Sequence, residues 1–172
     1  MADLGTVVSR VTRITTAWIQ DVNNFIYRSI GSSGGSALVG FIASGVGAVL
    51  RTIQSKLRET ISVADFGAVG DGVADDTTAI QAAITAASVY PVRNVLFPPG
   101  NYRTTATLTM PSDAGRNFSL IGQGNASYGS MLSGVLITGD HTAGPVVRLQ
   151  TSGQRIENIV VTASAARTAG SR

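Results

Sequence analysis

Ile61-Ser-Val-Ala-Asp-Phe-Gly-Ala-Val-Gly-Asp-Gly72, continued by Asp75-Asp-Thr-Thr-Ala-Ile-Gln-Ala-Ala-Ile84, is where the chain changes character. Asp65, Phe66, Gly67, Gly70, Asp71 and Gly72 make a turn-rich opening. A carboxylate at Asp75 or Asp76 then stands where it can cap the first turn of a helix over Thr77 to Ser88, with Ile80, Ala83, Ile84 and Ala87 on one face. Pro91 ends that helix. Beyond it come short β-rich runs parted by Gly, Pro, Asn and Asp, and no helical pattern separates them: Asn94 to Phe97, Tyr102 to Met110, Asn117 to Ile121, Gly134 to Thr138, Pro145 to Leu149 and Arg155 to Thr162.

Val95-Leu-Phe97 and Ser119-Leu-Ile121 lie roughly one solenoid coil of about 20 to 30 residues apart, with a third copy at Ile156 to Val161. Pro98-Pro-Gly-Asn101 and Gly122-Gln-Gly-Asn125 follow the first two copies at matching places. The expectation is a β solenoid whose first coil, open to water, is covered by the Ala/Ile-rich helix from Thr77 to Ser88.

Composition agrees with that reading. Of 172 residues, 20 are Gly and only 13% are charged, about half the ~25% of an ordinary soluble domain. The net charge of +3 comes without any Lys/Arg-rich run, so nucleic acid is not an expected partner. Without Cys there is no disulfide, thiol nucleophile or Cys-ligated metal, and the single His, His141, rules out multi-His sites. No metal or cofactor is expected.

Upstream, Leu4, Val7, Val11, Ile14, Trp18 and Phe25 recur at alternating steps of three and four, broken once at Asp21. This is a helical stripe seeking a partner, because no second long amphipathic helix follows to complete a bundle. Trp18 and Phe25 are its anchors. Gly31, Gly34 and Gly35 lie in a Gly/Ser hinge, Gly31 to Ser36, followed by a buried segment, Ala37 to Ile42. Val46, Val49, Leu50, Ile53 and Leu57 then fit a short amphipathic helix. No signal peptide is expected: Asp3 stands where a basic start would, and no continuous apolar core follows.

The string from Arg51 through Gly72 and on to Ile84 resembles the head-to-body junction of bacteriophage tailspike and tail-fibre proteins, which belong to the pectate-lyase-like right-handed parallel β-helix group. Asp65 to Gly72 alone marks the start of such a β-helix in phage and cellular polysaccharide enzymes alike. Val95-Leu-Phe-Pro-Pro-Gly-Asn-Tyr102 and Leu120-Ile-Gly-Gln-Gly124 look like that group's first and second coils. The resemblance implies three parts: a helical virion-attachment head over 1–30, a neck of hinge and short helix over 31–60, and the capped first coils of a β-helix over 61–172. It further implies a homotrimer, docking on tail adaptor or nozzle proteins, and a distal β-helix that meets bacterial surface polysaccharide. The trimer or docking interface falls on Val7, Val11, Ile14, Trp18 and Phe25. The expected location is the virion tail, after synthesis in the host cytoplasm. Because the third copy is barely begun before Arg172, the expectation is an amino-terminal portion of a longer spike, or a short variant completed by another subunit.

Two further classes stand beside structural attachment. In the first, the full protein is a polysaccharide depolymerase whose active site lies beyond residue 172. Asp65, Asp71, Asp75 and Asp76 form the acidic cluster that invites this reading, and glycoside cleavage needs two carboxyls roughly 5 to 9.5 Å apart across a groove. A calcium loop fails because Asp71 to Ala82 lacks the alternating ligands and terminal Glu. Turns and helix capping account for all four carboxylates, so no catalysis is expected from residues 1–172. Asp140-His141 reads as a solvated turn. The second class is a membrane-active protein inserting Ala37 to Leu50, although Gly and Ser thin the apolar character of that stretch.

Overall fold

The computed structural model describes residues 16–30, 34–89, 93–112, 117–124 and 134–164. The chain divides into two compact units, Met1–Glu59 and Thr60–Arg172.

In the first unit, α1 (Thr16–Asn24) continues into a π-helix, Phe25–Ile30. The widened turn begins only at Phe25, the last residue of the stripe, with Trp18 in the regular helix before it. Then follow α2 (Gly35–Leu38), β1 (Gly40–Phe41), β2 (Arg51–Thr52) and α3 (Ile53–Leu57), with β1 and β2 antiparallel. Two expectations are corrected here. Ala37 to Ile42 is exposed rather than buried, because α2 and the two-residue strand that follow one another there are too short to enclose a core. The helix expected from Val46 starts only at Ile53: Gly45 (φ 127°) and Gly47 (φ 85°) adopt conformations no helix contains, and Arg51–Thr52 are taken by the strand pair. Thr52 then caps α3, its Oγ1 accepting from Ser55 N at 3.0 Å. The Arg51 guanidinium ties the helix back, donating to Ser55 O at 3.0 Å and pairing with Glu59, which Lys56 also reaches.

The second unit is a stack of parallel coils. Its strands are β3 (Ile61–Ser62), β4 (Asp71–Asp75), β5 (Asn94–Phe97), β6 (Gly100–Thr104), β7 (Leu108–Thr109), β8 (Ser119–Gly122), β9 (Val135–Gly139), β10 (Val147–Arg148), β11 (Arg155–Glu157) and β12 (Ile159–Ala163). They form three faces in which every pairing is parallel: β3-β5-β8-β11, β4-β6-β9-β12 and β7-β10. Because alternate side chains of a strand point to one side, in-register stacking lines up apolar residues from successive coils. Ile61, Val95, Leu120 and Ile156 make one such column; Tyr102, Ile137 and Val161 make another. Phe97 and Tyr102 meet edge to face across the corner, ring centroids 5.5 Å apart.

The helix α4 (Thr77–Val89) buries Ile80, Ala83, Ile84 and Ala87 and packs on β3, β5 and β7 of the first coils. Sequence reasoning treated 67 to 76 as turn plus cap, whereas Asp71–Asp75 is a strand: its exposed and half-buried residues alternate, and it pairs with β6 across an irregular register. Two runs expected as single strands are each split. Tyr102 to Met110 turns a corner at Thr105–Thr107, and Arg155 to Thr162 turns at Asn158, whose φ of 54° ends a strand.

Candidate functional site

The acidic cluster at the first coil is the densest group of chemistry-bearing side chains that the sequence singled out. Each of its carboxylates accepts hydrogen bonds from the chain beside it. Asp65 accepts from Ser62 N at 3.2 Å, completing a capping box around the 3-10 turn Val63–Phe66, which Gly67 closes in the left-handed region (φ 92°). Asp71 Oδ1 accepts from Val73 N and Ala74 N, both at 2.8 Å, and these bonds hold its carboxyl below the usual carboxylate range. Asp75 accepts from the Thr105 hydroxyl at 2.6 Å and from Thr77 Oγ1 and N at 2.5 and 3.0 Å. Those hydroxyls, Thr105 first, push its pKa down to about 2. Asp76 is the buried member, 1% exposed. Rather than capping α4 with its side chain, it accepts from Val69 N at 2.7 Å and Gly70 N at 3.1 Å, clamping the loop that leads into β4.

Glycines complete the opening. Gly70 (φ 70°) lies against the Tyr102 ring, and Gly72 (φ 78°) lies so close to Asn101 that a Cβ would stand 2.6 Å from its amide nitrogen. Phe66 is exposed at the 3-10 turn. The cluster is therefore a set of backbone terminators, and its carboxyls have no free partner geometry for acid/base work. Among the described residues no group of three or more His, Asp or Glu is arranged to hold a metal ion. An open groove of about 760 Å³ beside α4, lined by Thr77, Gln81, Thr85, Val89, Ala106 and Thr107 among others, presents no titratable side chain.

Sequence reasoning missed Arg103. Its guanidinium donates to Asp140 Oδ2 at 3.0 Å (Nε) and 2.7 Å (Nη2) and to Val73 O at 3.3 Å, linking three coils. Asp140 also accepts from Ser164 Oγ at 3.0 Å, and its carboxyl is held low, chiefly by the Arg103 hydrogen bonds. Only the register Arg103↔Thr138 reveals this link, so no local motif announces it. His141 Nδ1 lies 2.8 Å from Ala143 O, which assigns the proton to Nδ1. The Asp140 carboxylate is committed to Arg103 and Ser164, so the two neighbours form no acid/base pair.

In the first unit, Trp18 and Phe25 are 57% and 58% exposed. Val7, Val11, Ile14 and Gly31 lie outside the described residues. Gly34 precedes α2 in a right-handed conformation, and Gly35 is buried within it. Among the described residues no helix is long and apolar enough to cross a membrane.

Stacked parallel coils, a helix over the first of them and an opening built from Asp and Gly define a pectate-lyase-like β-helix. The sequence profile of the rhamnogalacturonase A/epimerase, pectate lyase-like family matches residues 60–170, and the chain belongs to that family. It is 36% identical over 137 residues to the tail spike protein of Shigella phage Sf6, covering 74% of this chain and 20% of that protein. It is 56% identical over 52 residues to mannuronan C5-epimerase AlgE6 of Azotobacter vinelandii, covering 30% of this chain and 6% of the epimerase. Among solved structures, bacteriophage CBA120 tailspike protein 3 superposes with a TM-score of 0.55 at 18% identity, over 87% of this chain and 24% of that one, a likeness of fold. The chain thus spans a quarter or less of each of these relatives.

Proposed function

We propose that the chain mounts a tailspike on a phage tail and starts the β-helix that the spike presents to the host surface. Residues 1–30 form the virion-attachment head, 31–60 the neck and 61–172 the first coils of a right-handed β-helix, assembled as a homotrimer. Bacterial surface polysaccharide is the ligand of the distal β-helix, and tail adaptor or nozzle proteins receive the head. The observation that carries this reading is the extent of the likeness to the Shigella phage tail spike. It covers 74% of the chain, more than residues 60–172 alone can supply, so it reaches into the part that the β-helix family profile leaves unmatched. Exposed Trp18 and Phe25, large aromatic anchors, support a docking role for the head.

The test is incorporation into particles. With Trp18→Ala and Phe25→Ala combined, circular dichroism of the purified chain stays unchanged while recovery on assembled tails falls at least about tenfold, the loss expected of hot-spot aromatics. Normal recovery of the double variant on tails removes the head from the docking interface, and absence of the unaltered chain from tails refutes the whole reading.

The epimerase likeness favours a second reading, a polysaccharide-modifying enzyme in which the first coils are scaffold. Its active site then lies on coils beyond residue 172, because the carboxylates of the first coil are bound to backbone. Release of reducing ends from host polysaccharide by the particle-borne protein, or a change in its sugar composition seen by NMR, supports it, and polysaccharide unchanged in both length and composition after prolonged incubation rejects it.

A further inference from the structure

A parallel strand points its N–H and C=O groups alternately to its two sides, so the first coil of a β-helix presents unpaired groups along one edge. On the third face, Leu108 N and Met110 N donate toward β10, to Val146 O at 2.8 Å and Arg148 O at 3.1 Å. Thr109 between them therefore points its N–H and C=O away from β10, to the edge where, among the described residues, no strand of this face lies. The side chain of Gln81, on α4, meets both groups. Its Nε2 donates to Thr109 O at 3.0 Å, and its Oε1 accepts from Thr109 N at 2.9 Å. A carboxamide carries the same donor and acceptor as a peptide unit. Gln81 thus occupies the place of one residue of a preceding strand.

The other two faces show the same treatment at their first strands. Asp65 takes Ser62 N beside β3, and Asp71 takes Val73 N and Ala74 N where β4 leaves register with β6. We infer that Gln81 is an edge-terminating residue: by pairing with Thr109 as a one-residue strand, it closes the first coil of the third face to strand addition from another molecule. A residue that merely filled the groove beside α4 would not need both a donor and an acceptor at that spot.

The discriminating substitutions are Gln81→Ala, Gln81→Glu and, as a control one turn along the same helix, Thr85→Ala, all in the 172-residue chain. Ala favours the helix, so Gln81→Ala retains α4. Amide hydrogen exchange is expected to accelerate at Thr109 by about tenfold in Gln81→Ala, with Leu108 and Met110 slower to respond and Thr85→Ala unchanged at Thr109. Gln81→Ala is also expected to self-associate beyond the state of the unaltered chain at high concentration, as an opened strand edge does. In Gln81→Glu the ionised carboxyl can accept from Thr109 N but opposes Thr109 O. Exchange reads the N–H alone, so Thr109 in that variant is expected to stay protected relative to Gln81→Ala, although Thr109 O has lost its donor. Unchanged Thr109 exchange in Gln81→Ala, or a Gln81→Glu variant in which Thr109 exchanges as fast as in Gln81→Ala, overturns the inference.

Discussion

Gly122→Ala tests the stacking of the second and third coils at a single atom. Gly122 has no positive φ, so any objection to a side chain there is steric. A Cβ at this position would lie 2.0 Å from Asn158 O, 2.9 Å from Asn158 C and 3.0 Å from Ile159 Cγ1. Relieving the contact requires the backbone at Asn158 to withdraw by about 1 Å or more, judged against ordinary packing distances of about 3.5 Å. Neighbouring strands sit about 4.8 Å apart, and a ladder stretched that far loses its hydrogen bonds. The cheapest escape is for β11 to lift off β8, forfeiting bonds such as Arg155 N to Phe118 O, 2.9 Å long. Overpacking costs about 1 to 3 kcal/mol and each lost ladder bond about 1 kcal/mol, which together give a destabilisation of about 3 kcal/mol. Gly67→Ala is the comparison: Gly67 has φ 92° with open space where its Cβ would go, so only backbone strain of about 1 kcal/mol applies. Equilibrium urea unfolding followed by far-ultraviolet circular dichroism should therefore rank Gly122→Ala below Gly67→Ala by about 2 kcal/mol. Equal midpoints, or the reverse order, refute the coil register.

Three further outcomes follow from the site. Asp76→Ala removes a buried acceptor from two part-buried N–H groups, those of Val69 and Gly70, and is expected to destabilise by about 2 kcal/mol in the same unfolding assay; a loss below about 0.5 kcal/mol contradicts the clamp. Asp75, with its folded pKa pushed down to about 2, contributes stability that is full above the ordinary carboxylate value and is lost as pH falls through about 2. Thr105→Val should raise the Asp75 titration seen by carboxyl carbon NMR, and an unmoved midpoint refutes the Thr105 contribution. Arg103→Ala should raise the titration of Asp140 toward its usual range with little change in the urea midpoint, since the pair is 34% and 40% exposed; a midpoint shift as large as that of Gly122→Ala would show that the link across the coils is more than a surface ion pair.

Local pattern carried the reading wherever one coil's own residues decide its structure. Asn94–Phe97 alternates between core and surface and forms β5 over those same residues, and the spacing of Ile80, Ala83, Ile84 and Ala87 matches the buried face of α4. The third repeat at Ile156 also stacks, on Leu120. What the sequence hid depends on partners distant along the chain. Asp71–Asp75 looks like a turn because Gly72 and three carboxylates crowd it, and it becomes a strand only when β6 lies alongside. Arg103 and Gln81 have no local signature: their partners, Asp140 and Thr109, come within reach only when the coil has wound. In the first unit, the uncharged segment Ala37 to Ile42 after the hinge reads as buried, but burial needs a second surface, and those residues are exposed in the single chain. Asp65, Asp71, Asp75 and Asp76 were read as turn and cap residues. The structure engages all four with backbone, although Asp76 does so by gripping the loop before β4 instead of the start of α4.

The most direct test of the mounting role is a cryo-electron-microscopy reconstruction of the tail that carries this protein. The account predicts copies related by threefold symmetry, with Trp18 and Phe25 against a tail protein and the coils from Ile61 onward pointing away from the particle. Density that puts the coil end against the tail, or a tail without this chain, would contradict it.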